Sequence, residues 1–195
     1  GIIQPPVLAQ ALGELWRRTR NPKLLKNYLP KVRAYYEWLH CERDPNGIGL
    51  IGIISPYESG TDNNPSFDRE LGLSNPGRLG ILWANRKLDW YNAICGRNFH
   101  YRTLLQRDRF IVVDPFINSV YADAWNTLAA LHKLDGDSEA ASNASQKAEV
   151  TTAALNERCW DSELGCYVYL TGSDQIPDRT LSVGTIFPLI LKDAP

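Results

Sequence analysis

Ser55-Pro56-Tyr57-Glu58-Ser59-Gly60-Thr61-Asp62-Asn63-Asn64-Pro65-Ser66-Phe67-Asp68 is the stretch on which the rest of the chain hangs. Its fourteen residues hold three carboxylates, two prolines, a glycine and two aromatic rings, which excludes a helix or a regular strand. Serine, glycine, asparagine and proline instead set a tight backbone path that can be held in one conformation at low entropic cost. Asp62 stands in the middle of that path, between Gly60 and two asparagines whose amides can donate hydrogen bonds. Such a carboxyl group is well placed to meet a ligand. Composition by itself favours a plainer reading, because most Asx-rich turns are only turns.

Outward from this loop the chain reads as helical hairpins. Upstream, Ile48 to Ile54 reads as a short β-ribbon that follows the turn Arg43-Asp44-Pro45-Asn46-Gly47. Before the turn, Leu24, Leu25, Tyr28, Leu29, Val32, Tyr35, Tyr36, Trp38 and Leu39 recur at helical spacing between Pro22 and Cys41. An earlier helix carries Val7, Leu8, Ala11, Leu12, Leu15 and Trp16 as its expected core face and stops at Asn21-Pro22. Downstream, Asn75-Pro76 opens an ambiguous run, and Leu79, Ile81, Leu82, Trp83, Leu88, Trp90, Tyr91 and Ile94 are helix-like despite Gly80. Residues 97–113 carry no readable period. Asp114-Pro115 then opens a helix over Phe116–His132, with Asp114 as its cap and Pro115 in its first turn. Asp135-Gly136-Asp137 is the turn that follows, and a further helix is expected over Ala148–Arg158.

A weak internal repeat joins the two halves. The helix ending Tyr36-Glu37-Trp38-Leu39, followed by Asp44 and a strand-like run from Ile48, is echoed by the helix ending at Arg158, then Asp161, Gly165 and a run to Tyr169. Hairpins joined by such ribbons are the plan of an all-α, (α/α) toroid, in which each hairpin buries its apolar face against its neighbours. One domain over residues 1–195 is expected.

Composition narrows the function by exclusion. A net charge of −1 with 22% charged residues gives no electrostatic reason to seek nucleic acid or an anionic membrane. No apolar run approaches the roughly 18 residues of a membrane span, and no secretory h-region stands at the start, so a cytoplasmic location is expected. Cys41, Cys95, Cys159 and Cys166 lack metal-ligand spacing and read as free, buried thiols. His40, His100 and His132 are scattered without a carboxylate or cysteine at ligand spacing, so neither a metal nor another cofactor is expected. Most aromatic residues, Tyr35, Trp38 and Trp125 among them, read as core; Tyr57, Trp83 and Trp90 are candidates for stacking on a sugar ring. The chain opens with Gly1 and contains no methionine, which fits a fragment of something longer.

The loop settles the function class through a resemblance. Tyr57-Glu58-Ser59-Gly60-Thr61-Asp62-Asn63-Asn64-Pro65 with Asp68 resembles the Pro-Trp-Glu-Ser-Gly-x-Asp-Asn-Ser-Pro-x-x-Asp signature of family 63 glycoside hydrolases, and is similar to the shorter Glu-Ser-Gly-x-Asp motif of trehalases. Gln4-Pro5-Pro6 and Asp114-Pro115-Phe116-Ile117-Asn118-Ser119 resemble two further segments of that family, at the ends of inner helices. The resemblance implies about half of an (α/α)6 barrel. It also implies an inverting α-glycosidase acting on a small α-glucoside or α-mannoside, such as glucosylglycerate, mannosylglycerate or a short α-glucan. Asp62 takes the place of the general acid, and Gln4, Tyr57, Glu58, Gly60, Asn63, Asn64, Asp68 and Asn118 are the expected substrate contacts. Inversion requires a second carboxylate roughly 6.5–9.5 Å from the first, on the opposite face of the sugar, to activate water. The family takes it from a glutamate well downstream, which has no counterpart here. Tyr57 and Asn64 also replace the family's tryptophan and serine. The other reading is therefore a half-barrel that binds carbohydrate or self-associates without turnover, covered by a second copy of the chain or by the remainder of a longer polypeptide.

Overall fold

Asn21 separates the first two helices by satisfying one of them. Helix α1 (Leu8–Thr19) closes with Arg20 in the left-handed region, and the Asn21 side chain then accepts the Lys23 N–H at 3.0 Å to cap α2 (Pro22–Arg43), with Pro22 at the position where a missing N–H costs nothing. The structure is a computed structural model that describes residues 2–74, 77–95, 97–107 and 109–192. The remaining α-helices are α3 (Arg78–Ile94), α4 (Tyr101–Gln106), α5 (Pro115–Asp135) and α6 (Ser138–Arg158). Asn75-Pro76 lies outside the described residues.

Helix α5 is the axis of the packing. Asp114 caps it by accepting from Phe116 and Ile117, and Gly136, at φ 87°, ends it in the left-handed conformation that favours glycine. Thirteen of its residues are buried, against α1, α2 and α6. Tyr36 of α2, Tyr121 and Trp125 of α5 form an aromatic cluster with ring centroids 5.7–6.2 Å apart. The Tyr36 hydroxyl donates to the Pro6 carbonyl and accepts the Ala9 N–H, so this cluster also fixes where α1 begins. Against α5, helix α6 presents Ala140, Ala141, Ala144 and Ala148, small side chains that let two long helices approach closely.

The strands are few and lie beside the loop. A three-stranded antiparallel sheet has the order β1-β4-β5, made by Val112–Val113, Tyr169–Thr171 and Ile176–Asp178, with Val112 opposite Thr171 and Tyr169 opposite Asp178. Trp160–Asp161 (β2) and Cys166–Tyr167 (β3) form a separate hairpin. Ile53 makes an isolated bridge to Val112, which seats the start of the 55–68 loop on the edge of the three-stranded sheet.

The all-α hairpin architecture matches the expectation, and several details correct it. The segment Ile48–Ile54 bends at Ile48 and at Gly49, where φ is 86°, and makes no ribbon of its own among the described residues; its ladder contact is Ile53 to Val112. On α1 the buried face is Ala9 and Leu12 with Trp16 packed beside them, whereas Val7, Leu8 and Leu15 are exposed. Trp38 is exposed rather than core. Helix α6 begins at Ser138, ten residues before the expected start, because its buried stripe is alanine and threonine and leaves no strong hydrophobic period. The unreadable 97–113 stretch contains α4 and β1. All four cysteines are free, but of the expected buried thiols only Cys159 is buried; Cys41 is exposed, and Cys95 and Cys166 are half-buried.

Candidate active site

The candidate site is assembled from the bottom of the loop upward. Beneath it lies a fully buried ion pair: Arg43, from the last turn of α2, reaches Glu58 with Nη2 to Oε1 at 2.6 Å and Nη1 to Oε2 at 2.9 Å. Glu58 also accepts the Ile3 N–H at 2.7 Å and the Ile54 N–H at 2.8 Å. Arg43 donates further to the Gly52 carbonyl and lies over the Tyr101 ring. A buried carboxylate is tolerable only when paired and fully hydrogen-bonded, and Glu58 meets both conditions. It therefore joins the N-terminal segment, α2 and the loop at one point and does not face a ligand. This corrects the expectation of Glu58 as a substrate contact.

Above the ion pair the backbone is closed by its own side chains. Ser55 accepts the Tyr57 N–H to cap the turn Pro56–Glu58, and Ser59 Oγ donates to the Pro56 carbonyl at 2.7 Å while accepting the Thr61 N–H at 2.9 Å. Gly60 has φ 72°, in the left-handed region that favours glycine, and a Cβ there would press on Pro5 Cγ at 3.1 Å. The Asn64 N–H returns to the Thr61 carbonyl at 2.9 Å, which leaves Asp62 and Asn63 as the exposed tip of a closed turn. Asn64 itself is buried: Oδ1 caps the turn Pro65–Phe67, and Nδ2 donates to Tyr169 Oη at 2.8 Å and approaches Ser182 Oγ at 3.4 Å. Tyr169 and Ser182 hydroxyls are 2.8 Å apart, and Ser66 donates to the Thr180 carbonyl. The loop is thus bolted to the strand β4 and to the segment 180–182.

Between the tip and that segment lies an open depression of about 500 Å³, lined by Thr61, Asp62, Asn63, Asn64, Pro65, Leu181, Ser182 and Val183. Of the expected residues the structure brings Asp62, Asn63 and Asn64 to one concave surface. Gln4 is exposed, and both its neighbours touch the loop: Ile3 through Glu58, and Pro5 against Gly60. Tyr57 and Asp68 are half-buried on the flanks, and burial pushes the Asp68 carboxyl above the ordinary carboxylate range. Asn118 is a second correction. It is fully buried in α5, exchanges hydrogen bonds of 2.8 and 2.9 Å with the Ile51 backbone and donates to the Asp114 carbonyl, so it holds the approach to the loop rather than a ligand. Trp83 and Trp90 are exposed on α3 and do not line the depression. Among the described residues no cluster of histidine, cysteine or carboxylates could hold a metal ion, and no helix is long and apolar enough to cross a membrane.

Sequence reasoning missed Arg43, Tyr169 and Ser182. Arg43 sat in what read as a polar turn, and Tyr169 in a Tyr-Val-Tyr alternation that signals a strand but not which hydroxyl meets the loop.

Helical hairpins with a turn-rich loop at their edge are the arrangement of the helical-toroid glycoside hydrolases. The chain belongs to the mannosylglycerate hydrolase MGH1-like glycoside hydrolase domain family, whose sequence profile it matches over residues 1–195. It is 28% identical over 191 residues to a mannosylglycerate hydrolase of Rubrobacter radiotolerans, covering 86% of this chain and 43% of that protein. It is 32% identical over 189 residues to a mannosylglycerate hydrolase of Thermus thermophilus, covering 86% of this chain and 45% of that protein. The crystal structure of a family 63 mannosylglycerate hydrolase from Thermus thermophilus in complex with Tris and D-glycerate superposes with a TM-score of 0.83 at 25% identity, covering 96% of this chain and 50% of that one. The chain thus spans about half the length of the relatives it matches.

Proposed function

We propose that this chain is the acid-bearing part of an inverting glycoside hydrolase acting on a small α-mannoside or α-glucoside of an organic acid, mannosylglycerate or glucosylglycerate being the leading candidates. The observation that carries the reading is the Asp62 tip: one carboxyl group, held by a self-capped turn and aimed into an open depression, with every other loop carboxylate committed to structure or set to the side. Asp62 donates a proton to the departing glycosidic oxygen as the C–O bond breaks, so that the leaving group departs as an alcohol. Asn63 and the Asn64 backbone supply polar contacts at the rim, and Gln4 and Tyr57 reach the sugar from the flanks. Because Asp62 is exposed, the enclosure that a general acid needs comes from the bound sugar and from whatever closes the mouth.

The far wall of the depression is Leu181, Ser182 and Val183, and Asp62 is the one carboxylate among the described residues that line it. The group that activates water is accordingly proposed to come from outside these 195 residues. The same observation favours a second reading, in which the chain by itself binds carbohydrate without turnover.

The test is hydrolysis of mannosylglycerate, glucosylglycerate and short α-glucans, followed by proton NMR of the first sugar released, on the polypeptide as the cell makes it. The β-anomer appearing first supports the reading. An α-anomer appearing first contradicts inversion, and binding without release of sugar supports the second reading.

A further inference from the structure

Helix α3 is packed the wrong way round for its composition. Leu79, Trp83, Trp90 and Ile94 fall on one stripe, at spacings of 4, 7 and 4 residues, and should be its buried face. They are instead 72%, 73%, 63% and 61% exposed, while the fully buried residues of the helix are Asn85 and Asn92. Asp89 lies between these two on the same arc, at i+4 from Asn85 and i−3 from Asn92. Exposing two tryptophans forfeits roughly 25 cal/mol for each Å² of apolar surface left in water, and burying asparagine costs more unless its groups are used. Leu88 and Tyr91 of the same helix pack beside the core, and the polar arc adds contacts of its own.

Asn92 Nδ2 donates to the Ile54 carbonyl at 2.8 Å, and the Ser55 hydroxyl lies near enough to the Asp89 carboxyl to favour its ionised form. Ile54 and Ser55 are the two residues from which the acid loop springs: the Ile54 N–H goes to Glu58, and Ser55 Oγ caps the first turn of the loop. The same arc keeps two further acceptors, Asn85 Oδ1 and Asp89 Oδ1, closed off from solvent and without a protein donor among the described residues. On its other flank α3 stands off the turn Glu70–Leu73 across a cavity of about 570 Å³, so its hold on the core does not come from close packing there.

We propose that Asp89 and Asn92 are positioning residues that fix the Ile54–Ser55 root of the acid loop and thereby aim Asp62. The proposal rests on the reading of Asp62 as general acid. Neither residue touches the depression; both act through the backbone path that ends at the Asp62 tip. A reacting group moved by about 1 Å can lose on the order of 10²-fold in rate, and the buried Asn92 and the half-buried Asp89 at the root of a fourteen-residue loop control a displacement of that size.

The experiment compares the unmodified protein with Asp89→Ala, Asp89→Asn, Asn92→Leu and Asp62→Asn, measuring kcat, KM and hydrogen exchange of the 55–68 amides on the polypeptide as the cell makes it. Expected for Asp89→Ala and Asn92→Leu is a kcat lower by about 10- to 100-fold with KM within about threefold, and faster exchange confined to 55–68. Asp89→Asn keeps an acceptor for the Ser55 hydroxyl and restores kcat to within about threefold. Unchanged exchange over 55–68 in both deletion variants overturns the proposal, as does a fall in kcat that Asp89→Asn fails to restore. If the unmodified protein and Asp62→Asn turn over all substrates alike, it is the general-acid reading that falls. The exchange measurement still decides whether the loop root is held by α3.

Discussion

At the scale of single residues, the loop is controlled by groups that a motif cannot reveal. Glu58 sits inside the signature and reads as a ligand contact, yet its four hydrogen bonds go to Arg43, Ile3 and Ile54. An ion pair between positions 43 and 58 has no characteristic spacing, so nothing in the sequence signals it. Removing one partner strands the other charge in the interior, and Arg43→Met is expected to cost about 3–5 kcal/mol, read by urea denaturation. A cost below about 1 kcal/mol would mean that water reaches Glu58. Asp114 offers a different test. Burial pushes its carboxyl up to about 7, against an ordinary 3.8, and its Oδ2 has no partner among the described residues. The native state therefore holds a proton between those two values that the unfolded chain has released. The associated stability is complete below pH 3.8, is lost as pH rises towards 7, and stays lost above it. Asn is an equally good helix cap, so Asp114→Asn should match the wild type near pH 4 and exceed it in stability near pH 8. A difference that does not change with pH would show that Asp114 is ionised throughout.

At the scale of elements, legibility followed the apolar period. Helices α2 and α5 declared themselves through long hydrophobic stripes and through the Asn21-Pro22 and Asp114-Pro115 starts, and the structure puts both where the sequence did. The first half of α6 was illegible because its buried stripe is alanine, and the orientation of α3 was illegible because tertiary hydrogen bonds outweigh its hydrophobic face. Sheet pairing was out of reach as well: two-residue strands carry too little alternation to be read. Among these elements β4 matters most to the site, because Tyr169 fastens Asn64. Gly184 makes that fastening possible: a Cβ there would lie 1.9 Å from the Tyr169 hydroxyl. Gly184→Ala should displace Tyr169 from Asn64 and Ser182 and lower stability by about 1–3 kcal/mol, visible as a depressed Tm. An unchanged Tm would indicate that the 181–184 wall gives way without disturbing the loop.

For the whole molecule, the half-ring leaves apolar surface uncovered. Leu181, Val183, Ile186, Leu189 and Ile190 are all more than half exposed near one wall of the depression. Contiguous apolar patches beyond a few hundred Å² are rarely left bare, so the isolated 195-residue chain is expected to self-associate in sedimentation runs, and Ile186→Glu with Leu189→Glu should shift it towards monomer. A monomer at every concentration would show that this surface is tolerated in water. Family and fold were legible from one loop, since a motif of that density fixes both a backbone path and a carboxyl group; the residues that aim it were not, because they arrive from elsewhere in the chain. The central claim is that Asp62 gives its proton to a poor leaving group. The most direct measurement is the turnover of Asp62→Asn relative to the unmodified polypeptide on two substrates, mannosylglycerate and an α-mannosyl fluoride. Fluoride leaves without needing a proton, whereas the glycerate oxygen does not. The account predicts a loss of about 10²- to 10⁴-fold on mannosylglycerate and less than about tenfold on the fluoride. Equal losses on the two substrates, or near-normal turnover on both, would contradict it.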